Sequence, residues 1–302
     1  MSNKFFWFFS LLISPSVCCG QILDQLSSSK DELPIIIEAE ESVVCDETAQ
    51  KCVATGLAKA QKGTSTVYGD VLTVYFTEEK ERKITSITAD GHVRLETPTE
   101  KAYGEHARYD VDPDHIHMTG GNLKIVTPTQ ILTAQDSIEY WPTEKKGVAK
   151  GNAVAQFIEE EQLVQGDTLV AYFKPSSKKT EEGKDKLEVD RVEAEGNVLA
   201  SGPKGIITGD RGIYFGKTEM VEVFNNVKVS QGENVITGGY VRANLKTDVA
   251  ELFTHPPHVA QTGPIKRISG IIIPKDAKKM KEKESDSTEL NANKSKDRHS
   301  FL

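Results

Sequence analysis

The chain has 302 residues, a formal net charge of −8, 37% hydrophobic residues and 27% charged residues. That composition excludes a polytopic membrane protein, and the acidic balance argues against nucleic acid, whose phosphates need a basic face. The 25 Val, 21 Ile and 24 Thr, with 23 Gly and no long helical pattern, point to an all-β protein, because β-branched side chains suit a pleated surface.

Residues 1–20 read as a signal peptide: Lys4, an apolar stretch over 5–13, then small residues ending at Gly20. A retained membrane anchor is the alternative, although this stretch is short for a bilayer-spanning helix. Cys18 and Cys19 have Pro15 and Ser16 three positions before them, so neither sits in a lipidation pattern. A linker follows over 21–33, and a repeated β-domain is expected over 34–273. The mature body is strongly acidic: residues 21–274 carry −11, because 275–302 contribute +2 and the leader +1.

Cys45 and Cys52 lie in SVVCDETAQKCVATG, between two β-like runs. A hairpin places them opposite one another, and export to an oxidising compartment predicts a disulfide. Two unpaired thiols on adjacent strands are the alternative. A zinc site lacks a second Cys/His pair nearby.

From there the chain repeats itself. A small residue, Gly or Asn, and a short alternating run recur at Gly56, Gly91, Gly120, Gly151, Gly196 and Asn225, spaced by 35, 29, 31, 45 and 29 residues. A second phrase follows each marker, with a small residue, an acid and then an aromatic. It places Asp70, Glu105, Asp136, Asp167 and Asp210, then Tyr75, Tyr109, Tyr140, Tyr172 and Tyr214, at matching positions. A period of about 30 residues means stacked supersecondary units. Each repeat is expected to give two or three short strands, with the Gly-Asn, Gly-Gly and Asp-Gly steps in tight turns. Six stacked repeats build an elongated antiparallel structure with a continuous apolar interior.

Candidates for chemistry are few. The run DVDPDHIH (110–117) reads as a polar turn and strand, with a metal site as the alternative. HPPH (255–258) reads as a rigid turn, and Gly209-Asp210-Arg211-Gly212 lacks a phosphate-loop lysine. An acid repeated in every unit is expected to supply a rim charge or a strand-end hydrogen bond, since an active site is needed once. The tyrosines are read as amphipathic packing or as ligand contacts. No catalytic residue, metal or cofactor is assigned. The hydrophilic stretch 174–186 explains the 45-residue spacing as a mobile loop insertion. The isoleucines at 271–273 end the last strand, and 274–302 reads as a disordered charged tail, or a docking arm.

The phrases TADGHVRLETPTEKAYGEHARYDV and VEAEGNVLASGPKGIITGDRGIYF carry a resemblance to a known family. The chain resembles the OstA-like (LptA) family of periplasmic lipopolysaccharide-transport proteins, through residues 104–109, residues 209–214 and the turn Gly196-Asn197-Val198. The resemblance implies a taco-like β-jelly-roll that holds lipid A acyl chains between its walls. It also implies head-to-tail self-association into a bridge from an inner-membrane export complex to an outer-membrane translocon, and no enzymatic activity. On this basis the lipid groove is expected to be lined by Val74, Phe76, Val93, Leu95, Ile116, Met118, Leu123, Ile125, Ile131, Val154, Val198 and Val229. The alternatives are a membrane-anchored LptC-like partner of the same pathway, and a structural or carbohydrate-binding exported β-repeat protein.

Overall fold

A computed structural model describes residues 34–78, 82–179, 185–203, 205–247, 249–257 and 267–272. The expected signal peptide (1–20), the linker (21–33) and the tail (274–302) lie outside the described residues.

Every regular element among the described residues is a β-strand. In chain order these are β1 (Ile36–Glu38), β2 (Ser42–Asp46), β3 (Lys51–Lys62), β4 (Ser65–Phe76), β5 (Ile84–Glu96) and β6 (Lys101–Asp110). Then come β7 (His115–Thr119), β8 (Leu123–Val126), β9 (Gln130–Ala134), β10 (Ser137–Trp141), β11 (Lys146–Phe157) and β12 (Gln162–Lys179). The series ends with β13 (Asp185–Gly202), β14 (Gly205–Phe215), β15 (Met220–Gln231), β16 (Asn234–Asn244), β17 (Val249–Phe253) and β18 (Ser269–Ile271). All pair antiparallel in one sheet.

The sheet is folded lengthwise. The marker pairs Gly56-Leu57, Gly91-His92, Gly120-Gly121, Gly151-Asn152, Gly196-Asn197 and Asn225-Asn226 all have positive φ, between 40° and 85°. Most of them sit inside long strands, where each shifts the pairing register, as between Glu195/Arg211 and Val198/Gly209. They are bends in the middle of strands, which corrects the expectation of hairpin turns: two successive left-handed residues redirect a strand without reversing it. The shorter elements are long strands broken at the same line. Residues of β7 and β8 pair with the two halves of β6, and β9 and β10 with the two halves of β11. The hairpin turns lie at the strand ends. Two of them use the same chemistry: the Thr97 and Thr127 hydroxyls accept the backbone N–H of Glu100 and Gln130 at 3.2 and 2.9 Å, across Pro98 and Pro128.

The fold brings two half-sheets face to face. One inward row runs through cross-strand partners Ala54, Leu72, Ala89, Ala107, Met118, Ile138 and Ala149 and continues to Val241. On the other wall the row runs through Ala60, Val67, Leu95, Ala102, Ile125 and Leu132, then Ala155, Val164, Ala200, Ile207, Val229 and Ile236. Residues of both walls belong to one buried hydrophobic cluster. Neither half-sheet can bury its apolar face alone, so each repeat depends on its neighbours and on the opposite wall.

The loop expected over 174–186 is narrower. Strand β12 continues to Lys179 and β13 starts at Asp185, leaving only 180–184 between them. Alternation explains the extension: Phe173, Leu187 and Val189 are buried, while the outward Lys174 pairs with Asp190 at 3.1 Å and Glu188 at 3.6 Å. Cys45 and Cys52 are cross-strand partners joined by a disulfide, with Cα atoms 4.0 Å apart. This bond ties β2, whose five residues are all exposed, to β3.

Candidate functional site

The space between the walls is the candidate site. Its larger cavity, about 140 Å³, lies between residues of β8–β15, including Ile125, Leu132, Leu169, Val192, Val198 and Val223. A smaller one, about 60 Å³, lies in the N-terminal half, against Val67, Ile87, Ala89, Leu95, Tyr109 and Ile116. Small inward residues leave this room. Ala is disfavoured in strands, yet Ala89, Ala149, Ala155, Ala171, Ala194 and Ala200 occupy inward positions where larger chains would fill the interior.

Of the residues expected in the groove, Val93, Leu95, Ile116, Met118, Leu123, Ile125 and Val198 are buried in the interior cluster, and Val229 packs against it. Val74 is buried on β4, at 6% exposure. Three lie elsewhere. Past the Gly151-Asn152 bend it is Ala153, Ala155 and Phe157 that face inward, so Val154 faces outward, paired with Thr133 and Gln165. Ile131 alternates with the inward Leu132 and only borders the larger cavity. A register shift separates Phe76 from Tyr75, and the Arg82 guanidinium lies 5.2 Å from its ring centroid, outside the cluster.

The recurrent tyrosines split by parity. Tyr109, Tyr140 and Tyr214 stand four residues after the acid of their repeat and face inward. Tyr75 and Tyr172 stand five after it, which puts them on the outer face, with the Arg191 guanidinium 4.3 Å from the Tyr172 ring centroid. Burial pushes the phenol of Tyr109 upward, helped by Asp114, and that of Tyr214 up to about 12. Tyr140 and Tyr214 were legible only by counting that offset.

The repeated acids sit at the fold line rather than at a rim, Asp70, Glu105, Asp167 and Asp210 in mid-strand and Asp136 in the break between β9 and β10. Asp70 Oδ2 lies 2.9 Å from His92 Nδ1, Asn197 donates to Asp167 at 3.0 and 3.1 Å, and Asn226 donates to Asp210 at 2.9 Å. Each of these three acids clasps the bend of the following strand, while Glu105 and Asp136 are tied to theirs through their backbone N–H groups, to Gly120 and Lys150. In the 110–117 run, Asp114 is a turn residue that accepts hydrogen bonds from Tyr109 and Thr143. His115 stacks on Trp141 with centroids 4.5 Å apart, and its Nε2 is 3.4 Å from Glu139 Oε2. Burial raises the Glu139 pKa, but Lys150 and Ser137 outweigh it and hold the carboxyl below its ordinary value. No group of three or more His, Cys, Asp or Glu among the described residues is disposed to hold a metal ion. His258 of the HPPH run lies outside the described residues.

What the arrangement can do is shelter hydrocarbon: two apolar walls, a line of small side chains between them and polar groups turned outward. The family described as LptA/(LptD N-terminal domain) LPS transport protein matches the chain twice, over residues 36–177 and 136–249. A solved structure, that of LptH, the LptA homologous periplasmic component of the lipopolysaccharide transport device from Pseudomonas aeruginosa, is 14% identical. Its alignment covers 80% of this chain and 97% of that one, at a TM-score of 0.21. No curated protein matches the chain.

Proposed function

Because the matched stretches run together from residue 36 to residue 249, the chain belongs to the LptA/(LptD N-terminal domain) LPS transport protein family, and we propose that it is a periplasmic lipopolysaccharide-binding bridge. In this role it carries lipopolysaccharide from inner-membrane to outer-membrane machinery, with acyl chains lying between its two walls. The observation that carries the reading is the inward row of Ala60, Leu95, Ile125, Ala155, Ala200 and Val229, which keeps its apolar character as it crosses from the first family match into the second.

The energetics fit a carrier. Keeping a twelve-carbon acyl chain from water is worth about 10 kcal/mol at roughly 0.8 kcal/mol per methylene, so a multi-chain lipid needs a sheltered route. A row of equivalent apolar positions lets it move between neighbouring sites of similar affinity. No bond is made or broken, and the driving energy comes from partners. Head-to-tail self-association belongs to the same proposal, through β-augmentation at the sheet's terminal strands. Support comes from inside the chain. Glu40 and Glu41 donate their N–H groups to Gly56 and Thr55 as Gln135 and Asp136 donate to Gly151 and Lys150, so the N-terminal edge is built like a strand pair that is paired on both sides in mid-chain.

The test is a photocrosslinking amino acid placed in cells at the inward Leu95 or Val198 and at the outward Arg94 or Leu199. Capture of lipopolysaccharide at the inward pair alone is expected. Capture only at the outward pair, or at none, overturns the groove.

A further inference from the structure

Among the side chains around the larger cavity, only Gln130, Glu139, Tyr140 and Tyr214 carry a polar atom. Glu139 alternates to the outer face and accepts hydrogen bonds from Lys150 at 2.8 Å and Ser137 at 3.1 Å. Gln130 and Tyr140 each take part in a polar or ring interaction within the protein. Tyr214 differs. It projects from β14 between Val192 and Val221, is only 7% exposed, and its Oη has no hydrogen-bond partner among the described residues. Buried hydroxyls are otherwise paired, because leaving one unmade forfeits its hydration without return. Phenylalanine would fill the same place without that cost. On the opposite wall Gln162, 4% exposed, faces Phe157 of the cavity lining in register, and its Oε1 likewise lacks a partner among the described residues.

A donor buried in the wall of an apolar chamber, reachable once a chain parts the side chains that cover it, fits a ligand that is mostly hydrocarbon and carries an acceptor oxygen within its length. We infer that the Tyr214 hydroxyl donates a hydrogen bond to an oxygen of the bound lipid, so that the cavity selects acyl chains bearing a hydroxyl or carbonyl over plain hydrocarbon of equal length. The inference rests on the lipid-carrying reading and adds chemical selectivity to it. Burial, with the nearby Glu219 carboxylate, pushes the phenol up to about 12, so the group remains a donor throughout the physiological range.

The test uses two single-chain amphiphiles of the same head and length, one a saturated fourteen-carbon acyl chain and the other its 3-hydroxy counterpart. Their affinities for the full mature chain and for Tyr214→Phe are measured by calorimetry. The unsubstituted protein should bind the hydroxylated chain about tenfold tighter, a ratio that corresponds to one net hydrogen bond. Tyr214→Phe should bring the ratio to about one while keeping the affinity for the plain chain. The unliganded variant should melt no lower than the unsubstituted protein. An unchanged ratio, or a lower melting temperature that reveals an existing partner for the hydroxyl, overturns the assignment and leaves lipid carriage intact. Failure of both amphiphiles to bind either protein overturns the carriage reading, and the assignment with it.

Discussion

Asn197 reaches from the bend in β13 to donate its side-chain amide to both carboxylate oxygens of Asp167 in β12, at 3.0 and 3.1 Å. The residue before it, Gly196, has φ +71°, and a Cβ there would run into the same carboxylate. The bend thus needs three things at once: a residue free of Cβ, a second left-handed residue, and an acid on the preceding strand to hold it.

Gly196→Ala should therefore cost about 2 kcal/mol, because left-handed backbone is penalised by roughly 1–2 kcal/mol in residues with a Cβ and the clasp is displaced as well. Asp167→Ala should cost about 1 kcal/mol, the net worth of a hydrogen bond to a charged group at an exposed site. Urea denaturation of both variants gives the ranking, and an equal cost would mean that the clasp, and not the backbone, sets the bend.

The equivalent clasp in the N-terminal half titrates. Asp70 raises the pKa of His92, first by hydrogen bonding and then by charge, with a smaller push from Glu105. A folded-state pKa above the unfolded value means that the clasp is fully formed below about 6.5 and fades as pH rises through the higher folded value. An NMR titration should place His92 above 6.5 and return it towards that value in Asp70→Asn.

Ala171 lines the larger cavity while its neighbour Val170 alternates to the outer face, paired with Val148 and Glu193. Ala171→Trp should fill the chamber and lower acyl-chain affinity at least tenfold, whereas Val170→Trp should leave it within about twofold, one lost methylene contact or less. Equal effects would place the lipid outside the fold.

Much of this architecture was legible in the sequence because a bend is a chemical event. A residue with φ > 0 must be Gly or Asn in most repeats, and Gly56, Gly91, Gly120, Gly151, Gly196 and Asn225 marked the period directly. What could not be read was the parity across each fold line. Two residues of one strand face a single residue of its partner there, so alternation keeps its phase through the bend, as from Ala194 to Val198, and loses it across the acid opposite, as from Val164 to Leu169. Tyr172 lies on the outer face for that reason, whereas Val154 is outward because it has the parity of Lys150, opposite to the inward Ala149 and Ala153; the inward alanines carry no signal of bulk, because the fold needs room there. Leu57 shows the opposite case: it takes φ +40° with an exposed γ-branched side chain, and no residue type announced it.

The disulfide holds an element with little else to hold it. All five residues of β2 are exposed, so its attachment rests on the backbone ladder to β3 and on the Cys45–Cys52 bond. Closing a loop this short is worth about 2–3 kcal/mol in the chain-entropy picture. A Cys45→Ser, Cys52→Ser double variant should exchange its β2 amide protons at least tenfold faster while the β12–β13 amides keep their protection, as read by hydrogen exchange.

Among the described residues every strand pairing joins elements no more than three places apart in the chain. Such a molecule has almost no long-range closure to wait for during folding. Each hairpin can be laid against the one before it as soon as it is made, and no step among these strands requires the first of them to meet the last. Assembly by accretion also frees the chain's length from its stability. A repeat gained or lost by recombination lengthens or shortens the space between the walls while every strand away from the joint keeps its partners, so the length of the sheet is a quantity that duplication can tune.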